Sequence, residues 1–116
     1  MSAPSVGLIV LRCADLDASR EFYGLLGLSL VPEQHGKGPR HYSCTMGEVV
    51  LELYPLGTGP GTSGVRIGLR VREVSAVVAA IRVAGVGRVR SHSETPTITA
   101  VLKDPDGHSL QLDQAP

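Results

Sequence analysis

The sequence has no tryptophan, one phenylalanine and three tyrosines, so aromatic residues make up 3% of its 116 positions. An interior built from it is therefore aliphatic, and a site that grips large planar ligands has little to stack them on. Its two cysteines, Cys13 and Cys44, are too few for a disulfide framework and do not have the spacing of a zinc site. Charge of one sign is also missing: 11 basic residues face 11 acidic ones. That balance lacks the basic footprint a phosphate backbone demands, which excludes nucleic acid as an expected partner. Nor is there a long apolar run. Val6 to Leu11 is six residues long and is ended by Arg12, too short for a membrane span and without the basic leader of a signal peptide. A reducing, cytoplasmic setting is the expectation.

What the chain does have is a Gly/Pro-rich middle, Pro55 to Gly64, with similar patterns on either side. Leu11-Arg12-Cys13-Ala14-Asp15-Leu16 opens a helix that closes at Leu26-Gly27. Leu69-Arg70-Val71-Arg72-Glu73-Val74 opens one that closes at Ala84-Gly85, an offset of 58 residues throughout. Each half is too small to stand alone, so the two must share a core. The expectation is a single domain over 1–116, with modules 6–54 and 65–113 joined by linker 55–64.

Within each half the order reads βαβββ. Val6 to Cys13 is an apolar strand, Asp15 an N-cap, and Gly27 the left-handed stop of the first helix. Leu28 to Val31 reads as a short strand halted by Pro32, and Glu33 to Pro39 as a flexible loop. Strands follow over Arg40 to Met46 and Val49 to Tyr54. In the second half, Val65 to Val71 alternates as a strand. Val74, Val77, Val78 and Ile81 then form one apolar helix face. Val86 to Arg90 reads as a strand, Ser91 to Pro96 as a polar loop and Thr97 to Lys103 as a strand. Asp104-Pro105-Asp106-Gly107 has the residues a turn demands, and His108 to Asp113 closes the chain's last strand. The fold class is α+β: two βαβββ modules in tandem forming a cupped, mixed or antiparallel sheet with helices on its outer face.

Two motifs carry a resemblance. Arg12-x-x-Asp15-Leu16-x-x-Ser19-x-x-Phe22-Tyr23-x-x-Leu26-Gly27, and Asp104-Pro105-Asp106-Gly107 followed by Ser109-Leu110-Gln111-Leu112, are similar to signatures of the vicinal-oxygen-chelate superfamily. That group includes glyoxalase I, extradiol dioxygenases, methylmalonyl-CoA epimerase and the fosfomycin and bleomycin resistance proteins. The resemblance implies metal ligands, usually His or Glu, on the first and last strands of each half. Those positions fall here on Leu8, Glu52, Arg66 and Gln111. Leu8 has no donor atom and Arg66 keeps its proton at any relevant pH, so only Glu52 is a standard ligand. No metal is expected there, and no other cofactor, with a divalent metal on a remodelled ligand set, His41 included, as the alternative. The resemblance also implies a homodimer.

Strand alternation separates two faces. The helix-packed face takes Leu11, Cys13, Leu51, Leu53, Leu69, Leu110 and Leu112. The opposite face collects Arg12, Glu52, Tyr54, Arg66, Arg70 and Gln111, a candidate ligand-binding set with an excess of positive charge. Glu52 could instead pair with Arg66 across the halves, replacing a metal cross-link. His41, if it faces the cleft, is the candidate general base beside Glu52. His35 and His92 read as solvated loop residues and His108 as a surface residue. The expected function is metal-free binding or sequestering of a small anionic or polar molecule. The alternatives are a metal-dependent lyase, isomerase or dioxygenase of the same superfamily, and a non-catalytic interaction module.

Overall fold

A computed structural model describes residues 2–116. The elements run β1 (Leu8–Cys13), α1 (Leu16–Leu25), β2 (Val31–Glu33), β3 (His41–Met46), β4 (Val49–Pro55), then β5 (Arg66–Val71), α2 (Val74–Ala84), β6 (Arg88–Ser93), β7 (Thr99–Lys103) and β8 (Ser109–Gln114). Each half folds into its own four-stranded sheet, ordered β1-β4-β3-β2 and β5-β8-β7-β6. The first and last strands of each module pair in parallel and the other contacts are antiparallel. This is the βαβββ duplication read from the 58-residue repeat.

Local chemistry sets the helix ends. The Asp15 carboxylate accepts the Ala18 N–H at 3.0 Å and satisfies one orphan donor of α1. Glu73, at the equivalent position of α2, makes no such bond. The amide oxygen of Gln114, from the end of β8, accepts the Val74 N–H at 2.9 Å instead. Gly85 ends α2 in the left-handed conformation at φ 67°.

Two strands lie elsewhere than expected. β2 occupies Val31–Glu33 and not Leu28 to Val31, because Pro32 sits inside a strand at the sheet's outer edge, where a missing N–H costs no ladder bond. β6 extends to Ser93, with a register shift between Val89 and Ser91 that lets polar residues join the sheet.

The core is continuous across the modules and is mostly aliphatic. Leu11, Leu51, Leu53, Leu102, Leu110, Leu112, Val74 and Ile81 are buried together with the chain's one phenylalanine, Phe22, and Tyr23. Phe22 packs against the backbone of Gly87, where a Cβ would collide with the ring and with the Lys103 carbonyl.

The Asp104–Gly107 turn fastens the modules. Asp106 accepts the Ala14 N–H at 2.8 Å and the Ser19 hydroxyl at 3.3 Å, both from the first module. Tyr23 donates to Asp104 at 2.6 Å, and His108 Nδ1 lies 2.7 Å from the same carboxylate. The other ring nitrogen of His108 meets the Thr62 hydroxyl at 2.5 Å, and Thr62 also accepts the Arg12 N–H. His108 is wholly buried and not on the surface, because this network satisfies both its nitrogens. No helix among the described residues is long and apolar enough to cross a membrane.

Candidate functional site

The helix-free face of the first module carries a polar cluster that alternation positions. Glu33 on β2 pairs opposite His41 on β3, and Ser43 opposite Glu52 on β4. Val10 and Arg12 on β1 pair with Glu52 and Tyr54. These side chains therefore share one face. His41 is 2% exposed, with Nδ1 at 3.2 Å from the Pro39 carbonyl and Nε2 at 3.3 Å from Glu33 Oε1 and 3.6 Å from Glu52 Oε2. Its ring stacks on Tyr54 with centroids 4.1 Å apart and an 11° interplanar angle. The Arg12 guanidinium lies 5.4 Å from the Tyr54 centroid. His35, on the loop between β2 and β3, brings Nε2 to 3.7 Å from Glu33 Oε1.

His41 thus faces the same side of the sheet as Glu52 and lies beside it. Arg66, Arg70 and Gln111 lie on the other sheet, where Gly68 pairs with Gln111 and Arg70 with Asp113. The expected set is split: Arg12, Glu52 and Tyr54 come together, while Arg66, Arg70 and Gln111 form a separate group. Glu52 has no ion pair with Arg66; the side chain beside its carboxylate is the His41 imidazole, with Nε2 at 3.6 Å from Oε2. Among the described residues, no arginine lies within 4.0 Å of a carboxylate. The superfamily's cross-module metal positions do not suit a metal here, since Leu8 is 56% exposed and without a donor and Arg66 is a fixed cation.

Sequence reasoning missed Glu33 and His35 as neighbours of His41. The available signal was the Glu33-x-His35 spacing next to a strand beginning at His41. It reads as a loop unless Pro32 is admitted to an edge strand. His92, expected in a loop, belongs to β6 and lies 3.0 Å from the Ser75 hydroxyl.

Asp104, Asp106 and His108 form a second compact group, but the donors described above occupy their polar atoms, so the group acts as a clasp. Burial opposes the charge on Asp104. The His108 and Tyr23 hydrogen bonds and the His108 charge outweigh burial and hold the carboxyl below its ordinary range. Burial, then the Asp104 charge, push the Tyr23 hydroxyl up, so it stays a donor. Burial also pushes the Cys13 thiol up to about 12.

A groove of about 670 Å³ lies elsewhere, between the end of α1, β3 and the β5–α2 junction. Leu25, Leu26, Leu28, Met46, Val71 and Val77 make it largely apolar, and of the expected residues only Arg70 borders it.

Among solved structures the chain is similar to TnmS3, an antibiotic-binding protein from Streptomyces sp. CB03234, with 25% identity and a TM-score of 0.75 over 100% of this chain and 99% of that one. It shares the fold of a bleomycin resistance determinant encoded on transposon Tn5, with 23% identity, a TM-score of 0.65 and coverage of 96% and 98%. The same holds for the oxidase ChaP-H2, at 21% identity, a TM-score of 0.73 and coverage of 99% and 96%. No curated protein matches it by sequence. The model of the glyoxalase-like domain matches residues 8–112, and the chain belongs to that family, within the vicinal-oxygen-chelate superfamily.

Proposed function

We propose that the protein binds or sequesters a small polar or anionic molecule without the metal that its superfamily's enzymes hold between modules. The observation that carries this is the state of Arg12, Arg66 and Arg70. All three are exposed on helix-free faces, and none has a carboxylate partner among the described residues. Guanidinium forks suit a carboxylate or phosphate, and of the three only Arg12 has a donor engaged among the described residues, on the Pro55 carbonyl at 3.4 Å. The similarity to an antibiotic-binding protein supports a sequestering role. With only Tyr54 for stacking on this face, a modest ligand fits better than a large planar one.

A second copy of the chain would complete the cleft. β1 and β5 are the outer strands of their sheets, the outward edge of β1 being free only as far as Arg12, whose N–H is held by Thr62, and Val6, Leu8 and Val65 near them are exposed. Edge pairing of β1 with a partner's β5 would cover these side chains and unite the sheets. Arg12, Glu52 and Tyr54 would then face the partner's copies of the second-module arginines and glutamine.

A second reading, a metal-dependent lyase, isomerase or dioxygenase, is favoured by the His41–Glu52 contact, which sets an imidazole beside a carboxylate as proton-transfer chemistry requires.

Thermal-shift screening of an anionic and neutral compound panel, with light scattering for mass, tests the first reading. Stabilisation by anionic compounds that disappears in Arg66→Ala and Arg70→Ala supports it. A monomer that no compound stabilises overturns it.

A further inference from the structure

We infer that Glu33, His35, His41 and Glu52 form a binding site for one divalent first-row transition ion of the zinc class, held entirely within the first module. One ligand atom from each lies within 4.8 Å of all the others. The separations from Glu33 Oε1 to His41 Nε2 and His35 Nε2 are 3.3 and 3.7 Å, and His41 Nε2 to Glu52 Oε2 is 3.6 Å. Four tetrahedral N and O donors at about 2.0–2.1 Å from zinc stand about 3.3–3.4 Å apart. Those three separations are already close to that spacing.

The buried imidazole supplies the stronger argument. The Pro39 carbonyl can only accept, so His41 Nδ1 carries the proton. In the neutral ring Nε2 then presents a lone pair to two carboxylate oxygens that also have only lone pairs to offer. With the ring neutral, three acceptors converge on one space, and what relieves them is a cation: a second ring proton or, as the near-tetrahedral spacing favours, a metal ion. Metal-ligating histidines characteristically donate their second nitrogen to a backbone carbonyl, as His41 does. Stacking on Tyr54 fixes the ring plane.

Charge and donor type narrow the ion. Two carboxylates beside two neutral imidazoles balance a divalent charge. Imidazole favours zinc, cobalt or nickel over calcium or magnesium, and without a thiolate the set does not select Cu(I). His35, whose side chain is 73% exposed, would close the site from the solvent side. Of the four ligands only Glu52 coincides with a superfamily metal position. The site needs neither Leu8, Arg66 nor Gln111, and no second chain. It shares Glu52 with the small-molecule reading but fails separately from it, since Arg66→Ala and Arg70→Ala leave all four metal ligands in place.

The test uses the full chain, stripped with chelator and dialysed, titrated with Zn2+ against a chromophoric competitor and separately with Co2+ followed by visible absorption. The expected result is one Zn2+ per chain and the intense visible bands of four-coordinate Co2+. Affinity should fall at least tenfold in His35→Ala and Glu33→Gln, and binding should be lost in Glu52→Gln. His35 is on an exposed loop, so His35→Ala should keep the wild-type melting temperature without metal and separates lost coordination from lost folding. His92→Ala, which removes the histidine beside Glu94 on the other sheet, should bind as wild type does. No stoichiometric Zn2+ on the wild-type chain, or binding that Glu33→Gln and His35→Ala leave unchanged, overturns the assignment.

Discussion

Tyr23, in the last turn of the first helix, donates its hydroxyl to Asp104 at 2.6 Å, 81 residues further along the chain. Both groups are buried, so the bond joins the two modules inside their shared core. A buried hydrogen bond to a charged acceptor contributes about 1.5–3 kcal/mol. Tyr23→Phe should lose about that much stability with the fold intact, read from the urea midpoint. An unchanged midpoint would refute the role of this contact.

Asp104 makes the clasp sensitive to acid. Its carboxyl is held below the ordinary value of 3.8. Its contribution is therefore complete above about pH 5, falls as the pH drops through 3.8, and is gone once the folded-state value has been passed. Asp104→Asn should be less stable by about 3 kcal/mol at neutral pH, since it leaves His108 and Tyr23 without their anion. Its stability should also fall less steeply below pH 4. Urea unfolding across pH 2.5 to 7 checks both.

Gly87 adopts φ +68° where Phe22 and the Lys103 carbonyl crowd it, whereas Gly68 has nothing within 4 Å of a built Cβ. Gly87→Ala should cost at least about 2 kcal/mol from backbone strain and overpacking together. Gly68→Ala should be close to neutral. Equal melting temperatures for the two variants would contradict the packing described.

Cys13 is 1% exposed and its thiol is pushed up from 9.0 to about 12. The thiolate at pH 8 is then about a thousandfold scarcer than in a free cysteine. Peptide mapping after iodoacetamide treatment should find Cys13 unmodified in the native protein and labelled once urea unfolds it.

The duplicated fold was legible because its signals are local and occur twice: Asp15 and Glu73 before the helices, Gly27 and Gly85 after them, and strand alternation in both halves. The candidate site was legible only where alternation alone decides. Glu52, Tyr54 and Arg12 share a face by parity, and His41 joins them once β3 is in register. Glu33 and His35 were hidden because Pro32 reads as a strand breaker, and only the sheet order shows it on an edge. His108 was misplaced for a different reason. Its burial depends on Tyr23, Thr62 and Asp104 converging from three distant segments, which no local pattern records.

The repeat also divides its labour. One copy gathers Glu33, His35, His41 and Glu52 on its open face; the other displays Arg66, Arg70, Arg88 and Lys103 around Gln111 and Asp113. The first is a place for electron-pair acceptors and the second for electron-pair donors. Two copies that began alike have become chemical opposites. A molecule lying across both would meet them with unlike ends, so its orientation would be chosen before any closer fit is tried.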